Sequence, residues 1–383
     1  MASSQCASRE LTPVAGFRLT KALSIRDVVR SRRSPSPVLG CGLLALLVAV
    51  IAMVATLRPA GWSLSALPRV DSKTGMGAAA RALDPSFRTV HPGAYDGQFY
   101  WGIAIDPLAT GTLNRAFDKP SYRYGHPLYG WLGWLLSAGR ARAVPAALAA
   151  IGFVSLFAAA VAAAVLGLGR GRSGWEGLFV ALNPGLISSA VNDLAEPLAA
   201  ALLLGALVAL VRRRWAPAWV CLALLPLAKE PLIVVPLAVV LWELGQRRRR
   251  FAAGIATAVI PALLWWTYAR IHLGAWFTSG DSALGMPLSG WRSAVLGHGR
   301  SGDIGLTVLV AFLVLLVLGG LRALRARGPV ELSYLALATL ALCLAPNATA
   351  AFTTATRNTA FLLVLLPFVI ATPPLLPWVT RST

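Results

Sequence analysis

The chain has 383 residues, 57% hydrophobic and only 13% charged, with a net charge of +20 and a mean hydropathy of +0.67. A soluble globular domain usually carries about 25% charged residues, so this composition excludes one and predicts an all-α, polytopic membrane protein. A basic excess gathered on one surface would suit nucleic acid; here the arginines stand in short clusters between apolar runs, where membrane topology accounts for them, and no nucleic-acid partner is expected.

Residues 1–36 are polar and basic, and read as a cytoplasmic tail too long and polar for the first region of a cleaved signal, so the apolar run after them is expected to stay as an anchor. A bilayer core of about 30 Å needs about 20 apolar residues per helix. Ten runs qualify, at 37–57, 143–169, 175–191, 195–211, 215–228, 231–245, 251–270, 304–322, 329–346 and 360–378. The fifth and sixth are short, but as a hairpin they bring Arg212 to Arg214 and Arg247 to Arg250 to one side, whereas a single span would separate those clusters.

The membrane region then runs from 37 to 378, with long outer loops at 58–126 and 271–303 and a C-terminus at 379–383. One face receives Arg170, Arg172, Arg212 to Arg214, Arg247 to Arg250, Arg322, Arg325 and Arg327; beyond its first loop, the other has only Lys229, Arg292, Arg300 and Arg357. Twelve against four predicts a plasma-membrane protein with both termini in the cytoplasm. The four cysteines, Cys6, Cys41, Cys221 and Cys343, have no metal-ligand or disulfide spacing; Cys41 reads as ordinary helix packing.

The outer face collects the polar residues that packing does not explain. In the first loop AYDGQFYWGIAIDP sets Asp96 among Tyr95, Gln98, Tyr100 and Trp101. A partly desolvated carboxylate there is expected to titrate high and to act as a base toward a hydroxyl, although Asp-Gly is also a common turn pair. Next come Arg115, Asp118, Lys119 and the run SYRYGHPLYGWLGWLL. Its apolar end is too short to cross the bilayer and predicts an interfacial or re-entrant helix. Arg123 and His126 either meet a phosphate or snorkel to lipid headgroups.

The turn Asn192-Asp193-Leu194-Ala195-Glu196-Pro197 holds two acids beside the membrane without a nearby base, which is costly unless they are solvated or used. It also reads as a helix start, with Asp193 as cap and Pro197 in the first turn. Lys229 and Glu230 top the short hairpin, where they pair with each other or the lysine neutralises a lipid phosphate. Arg357 has the same two readings. Phosphate-binding glycine loops, dinucleotide fingerprints and zinc-helix motifs are all absent from the sequence. No cofactor is therefore expected, and no pattern supports a divalent metal.

In order along the chain, YDGQFYWGIA, YGHPLYGWL, LNPGLISSAVNDLAEPL, LAKEP and ATRNTAF resemble the GT-C superfamily of integral-membrane glycosyltransferases, and most closely the PIG-V-like mannosyltransferases and their bacterial relatives. The resemblance covers most of 90–370. It implies transfer of a hexose, mannose in the nearest relatives, with inversion on the outer face. The donor would be a polyprenyl-phosphate sugar and the acceptor a cell-envelope lipid or glycan. Asp96 matches the first-loop acid such enzymes use as base. Glu196 matches the acid of a Tyr-x-Glu-like turn, with Asn192 and Asp193 in place of the expected aromatic, and Lys229 stands where arginine is common. Tyr95, Gln98, Tyr100, Arg123, His126, Asn192, Asp193, Lys229, Glu230 and Arg357 are the candidate substrate-binding residues around them. A secondary transporter or lipid flippase is the alternative, but transporters tend to keep polar groups near the bilayer midplane and often show repeated halves.

Overall fold

The computed structural model describes residues 36–278, 283–298, 303–325, 328–350 and 352–370. The tail before residue 36, the end of the last apolar run at 371–378, the C-terminal 379–383, and Arg300 and Arg327 lie outside them. The described part is helical, with two isolated bridges, Asp71 with Val90 and Leu284 with Leu344, and no strand among the described residues.

The helices that frame the site are α1 (Ser36–Leu57), α2 (Gly97–Ile105), α3 (Leu128–Ser137), α4 (Val144–Gly169), α5 (Pro184–Ala190), α6 (Glu196–Val211), α7 (Trp215–Ala228), α8 (Val234–Gly245), α9 (Ile260–Leu273), α10 (Asp303–Arg325), α11 (Pro329–Leu342), α12 (Phe352–Asn358) and α13 (Ala360–Ile370). Three stretches are long and apolar enough to cross a membrane by length and composition: Pro37–Leu57, Ala141–Gly169 and Arg249–Leu273. Four shorter helices, α6, α7, α11 and α13, are also apolar.

Small residues set how these helices meet. On α1 the inward face is Cys41, Ala45 and Ala49, all fully buried, while Leu39, Leu43, Leu47 and Ile51 form an outward stripe more than half exposed. Such a stripe, repeating every four residues, presents one helix face to whatever surrounds the protein. Cys41 packs on Gly177, where a Cβ would stand 2.6 Å from the cysteine Cβ, so only glycine permits the approach. Helix α4 is the spine. It packs along α6, which in turn packs along α7, and α3 lies against both α4 and α2.

The run 175–191 is not one helix. A 3-10 turn at Trp175–Gly177 leads into a four-residue helix, Leu178–Ala181, and then α5 starts anew. Asn183 caps α5 by accepting from the Leu186 amide at 3.1 Å, and Pro184 occupies the first turn, where its missing N–H is not needed. The same logic breaks the hairpin tip: α7 ends at Ala228, and a 3-10 turn, Glu230–Ile233, opens the path into α8. The short helix expected after His126-Pro127 is α3, with Trp134, Leu135 and Leu136 exposed.

Candidate functional site

Asp96 lies in the turn that opens α2, where the Gln98 amide donates to the Tyr95 carbonyl at 3.3 Å. It occupies the position just before α2, with helical backbone angles, and Gly97 follows because a Cβ there would stand 2.2 Å from the Asn192 carbonyl oxygen. The start of α2 is thereby pressed against the 192–194 turn, which leads into Glu196 at the first position of α6. The segment 120–126 is fastened from behind: Trp265 and Trp266 of α9 donate to the Tyr124 and Gly125 carbonyls at 2.6 and 2.8 Å, and the Tyr124 hydroxyl donates to the Asp106 carbonyl at 2.7 Å. Tyrosine and tryptophan here pin the backbone that carries Arg123 and His126.

These elements bring the charged residues together. Arg123 donates from Nη1 to Asp96 Oδ1 at 3.0 Å, and from Nε and Nη2 to both oxygens of Asp118 at 3.0 and 2.9 Å. Its guanidinium lies 3.8 Å over the Phe99 ring, a cation–π arrangement that adds to the hold. Arg357 of α12 reaches Asp96 Oδ2 from Nη2 at 3.0 Å and stands 3.5 Å from Glu196 Oε1 through Nε. Lys229 donates to the same Glu196 oxygen at 2.5 Å. Glu196 Oε2 is buried and has no hydrogen-bond partner among the described residues. His126 Nδ1 lies 2.6 Å from Glu230 Oε2, a close charge contact whose angles fall short of an aligned hydrogen bond.

The electrostatics correct one expectation. Burial pushes the Asp96 carboxyl up, as the desolvation argument supposed, but Arg357 and then Arg123 outweigh it and hold the group below the ordinary carboxylate range. Asp96 is therefore ionised. Glu230 behaves the same way: burial raises it, His126 and Lys229 lower it further, and the net shift is downward. Lys229 and Glu230, adjacent in sequence, do not pair with each other in the structure; one turns to Glu196 and the other to His126.

Asp96, Glu196, Tyr95, Tyr100, Arg123, His126, Lys229, Glu230 and Arg357 line one cavity of about 300 Å³. The lining also includes apolar side chains, Leu232, Leu337, Leu340, Leu344, Phe361 and Leu362 among them. Three candidates lie elsewhere. Gln98 is buried and accepts from the Asp71 amide at 3.2 Å, fixing the loop before α2. Asn192 donates to the Ser188 carbonyl at 2.7 Å. Asp193 is fully buried in left-handed backbone (φ 50°), and neither of its oxygens has a hydrogen-bond partner among the described residues. It does not cap α6, whose preceding position is Ala195; burial alone pushes its carboxyl well above the ordinary range.

Sequence reasoning did not single out Asp118 as the partner that orients Arg123, nor Tyr122, Asn347, Thr354 and Asn358 as cavity lining. Asp118 stands five residues before Arg123, but nothing in that spacing announces a two-oxygen grip across a turn. Asn347 and Asn358 bracket the polar stretch NATAAFTTATRN, the one signal that pointed at them. No family model, curated protein or solved structure matches the chain.

Proposed function

We propose that this chain is a membrane glycosyltransferase of the GT-C type, with about ten membrane passes, both termini cytoplasmic and the cavity open to the outer side. It would move a hexose, mannose by the resemblance, from a polyprenyl-phosphate donor to a cell-envelope lipid or glycan. The observation that supports this most is the mixed lining of the cavity. Arg123, Lys229 and Arg357 line it with three carboxylates, and so do leucine and phenylalanine side chains. A phosphate head on an apolar chain needs both: cations to balance the leaving phosphate and a dry lining for the hydrocarbon.

In this reading the acceptor hydroxyl attacks the anomeric carbon, and the carbon–oxygen bond to the lipid phosphate breaks, its electron pair leaving on the phosphate. Lys229 and Arg357 neutralise that charge. Asp96, ionised between two guanidiniums, faces the positive charge that develops on the sugar and accepts a hydrogen bond from the acceptor. Glu196 Oε2, unpartnered among the described residues, receives a second substrate hydroxyl.

The test is transfer of labelled mannose from polyprenyl-phosphate mannose in membranes expressing the chain. Wild type should transfer, and Asp96→Asn at matched expression should lose about 100-fold or more, as when a preorganised transition-state contact is removed. Absence of transfer by wild type, or an Asp96→Asn variant keeping more than about a tenth of the rate, would sink the reading.

A further inference from the structure

Asp96 matches the family's base, yet its surroundings suit a different task. One of its oxygens accepts an Arg123 N–H at 3.0 Å and the other stands 3.0 Å from Nη2 of Arg357 in an ion pair, and a carboxylate held ionised in that way has little appetite for a proton. The proton released when the acceptor hydroxyl attacks needs another destination within the same cavity.

His126 has the construction for it. Its Nδ1 is held 2.6 Å from the Glu230 carboxylate, which is itself nine-tenths buried. Its ring stands between those of Tyr100 and Tyr122, with centroids at 5.6 and 5.7 Å and both contacts edge-on. The backbone that carries it is pinned by Trp266 through Gly125. No described residue bonds Nε2, and His126 lines the cavity. A carboxylate this close to one ring nitrogen favours the proton on that side by charge alone, which leaves the other nitrogen as the acceptor, and it stabilises the imidazolium that forms.

The geometry points to Glu230 and His126 as the proton-transfer pair of this cavity, with His126 Nε2 taking the acceptor hydroxyl's proton and Glu230 positioning the ring and balancing its charge. The inference rests on the proposed glycosyl transfer. In the balanced step the acceptor oxygen bonds to the anomeric carbon, the phosphate leaves with the bonding pair, the hydroxyl proton moves to Nε2, and the imidazolium then returns it to water. The charged and titratable groups that line the cavity with the ring are Tyr95, Asp96 and Tyr100 on or beside α2, Tyr122 and Arg123 just before His126 in the chain, Glu196 on α6, Lys229 and Glu230 at the hairpin tip, and Arg357 on α12.

The experiment measures mannose transfer from polyprenyl-phosphate mannose against pH for the purified full chain, with wild type, His126→Gln, His126→Ala and Glu230→Gln side by side. Wild type should show an acid limb within the range of about pH 5 to 8 where histidine titrates. His126→Gln should lose about 100-fold or more, and imidazole added to His126→Ala should restore part of the rate. Glu230→Gln should move the limb to lower pH, because the imidazolium has lost its anionic neighbour; a merely structural Glu230 would lower the rate and leave the limb in place. If His126→Gln does not fold, the limb in the Glu230→Gln variant decides. An unmoved limb there, a wild type flat across that range, or His126→Gln at more than about a tenth of the wild-type rate overturns the pair while leaving glycosyl transfer standing. A wild type without any transfer overturns both.

Discussion

Arg357→Gln tests how the cavity is held together. The guanidinium bridges Asp96 at the start of α2 to Glu196 at the start of α6, from a third element, α12. Its side chain is 13% exposed and that of Glu196 only 3%. Removing one member of a buried ion pair costs about 3–5 kcal/mol, because the partner stays buried without its counter-charge. Here Asp96 is a third exposed and keeps Arg123, and Glu196 keeps Lys229, so the lower end, about 3 kcal/mol, applies. In a chain of this size 1 kcal/mol shifts the melting temperature by about 2 °C, so the variant should melt about 6 °C below wild type in the same detergent at the same scan rate. Arg357→Lys keeps the charge but cannot fork to both carboxylates, and should recover about half the loss. The acid side moves too. Asp96 has a folded value below its unfolded one, so its contribution is present above the unfolded range and lost as pH falls through the folded value; without Arg357, the largest of its cationic influences, that loss begins at higher pH. A Gln variant melting within about 1 °C of wild type would refute the idea that Arg357 joins the three elements.

Gly97→Ala places a Cβ 2.2 Å from the Asn192 carbonyl and close to Pro68, and should cost about 1–3 kcal/mol in thermal unfolding; an unchanged melting temperature would show that α2 does not press on that turn. Asp193→Asn should raise the melting temperature at pH 7 by about 2 °C or more. The folded carboxyl titrates high, so wild type is penalised as pH rises above the unfolded value of about 3.9, and the gain should vanish near pH 3; asparagine tolerates the left-handed backbone. A gain that persists at pH 3 would exclude this cause. For the proposed orientation, in a chain whose native cysteines are replaced by serine, Ser86→Cys should react with an impermeant reagent on intact cells and Gln246→Cys only after permeabilisation; the reverse pattern would invert the topology.

The sequence made the long helices legible because apolar length is nearly sufficient to define them: 37–57 and 143–169 correspond closely to α1 and α4 with its short lead-in. It missed the break inside 175–191, although Asn183-Pro184 is a capping residue followed by a first-turn proline, because a continuous apolar run outweighs a single dipeptide when the helix is read by hydropathy. The polar residues were found as types but not as pairs. Local spacing made Lys229 and Glu230 natural partners, while the structure sends Lys229 to a carboxylate 33 residues away. The Asp96 environment was misjudged for the same reason. Its neighbours in sequence are aromatic and argue for desolvation, whereas the two arginines that decide its charge come from 27 and 261 residues further along.

These long-range pairs give the cavity its character. Asp96, Asp118, Glu196 and Glu230 meet Arg123, Lys229 and Arg357, with His126 beside Glu230. With neutral His126 the set sums to minus one, and with His126 protonated to zero. The anionic head of the proposed donor would therefore not enter a cationic hole. It must exchange with carboxylates that the cations already hold, chiefly at Lys229 and Arg357, which share the single oxygen Oε1 of Glu196. Arg123 is the least able to exchange, since Asp118 grips it from both oxygens and Phe99 stacks beneath it. Exchange of this kind favours a ligand that returns a hydrogen bond to Glu196 as it takes one from Lys229. The proposed sugar-phosphate donor carries both groups, on adjoining carbons, and the apolar side chains that also line the cavity would give the rest of a lipid-linked donor somewhere to lie.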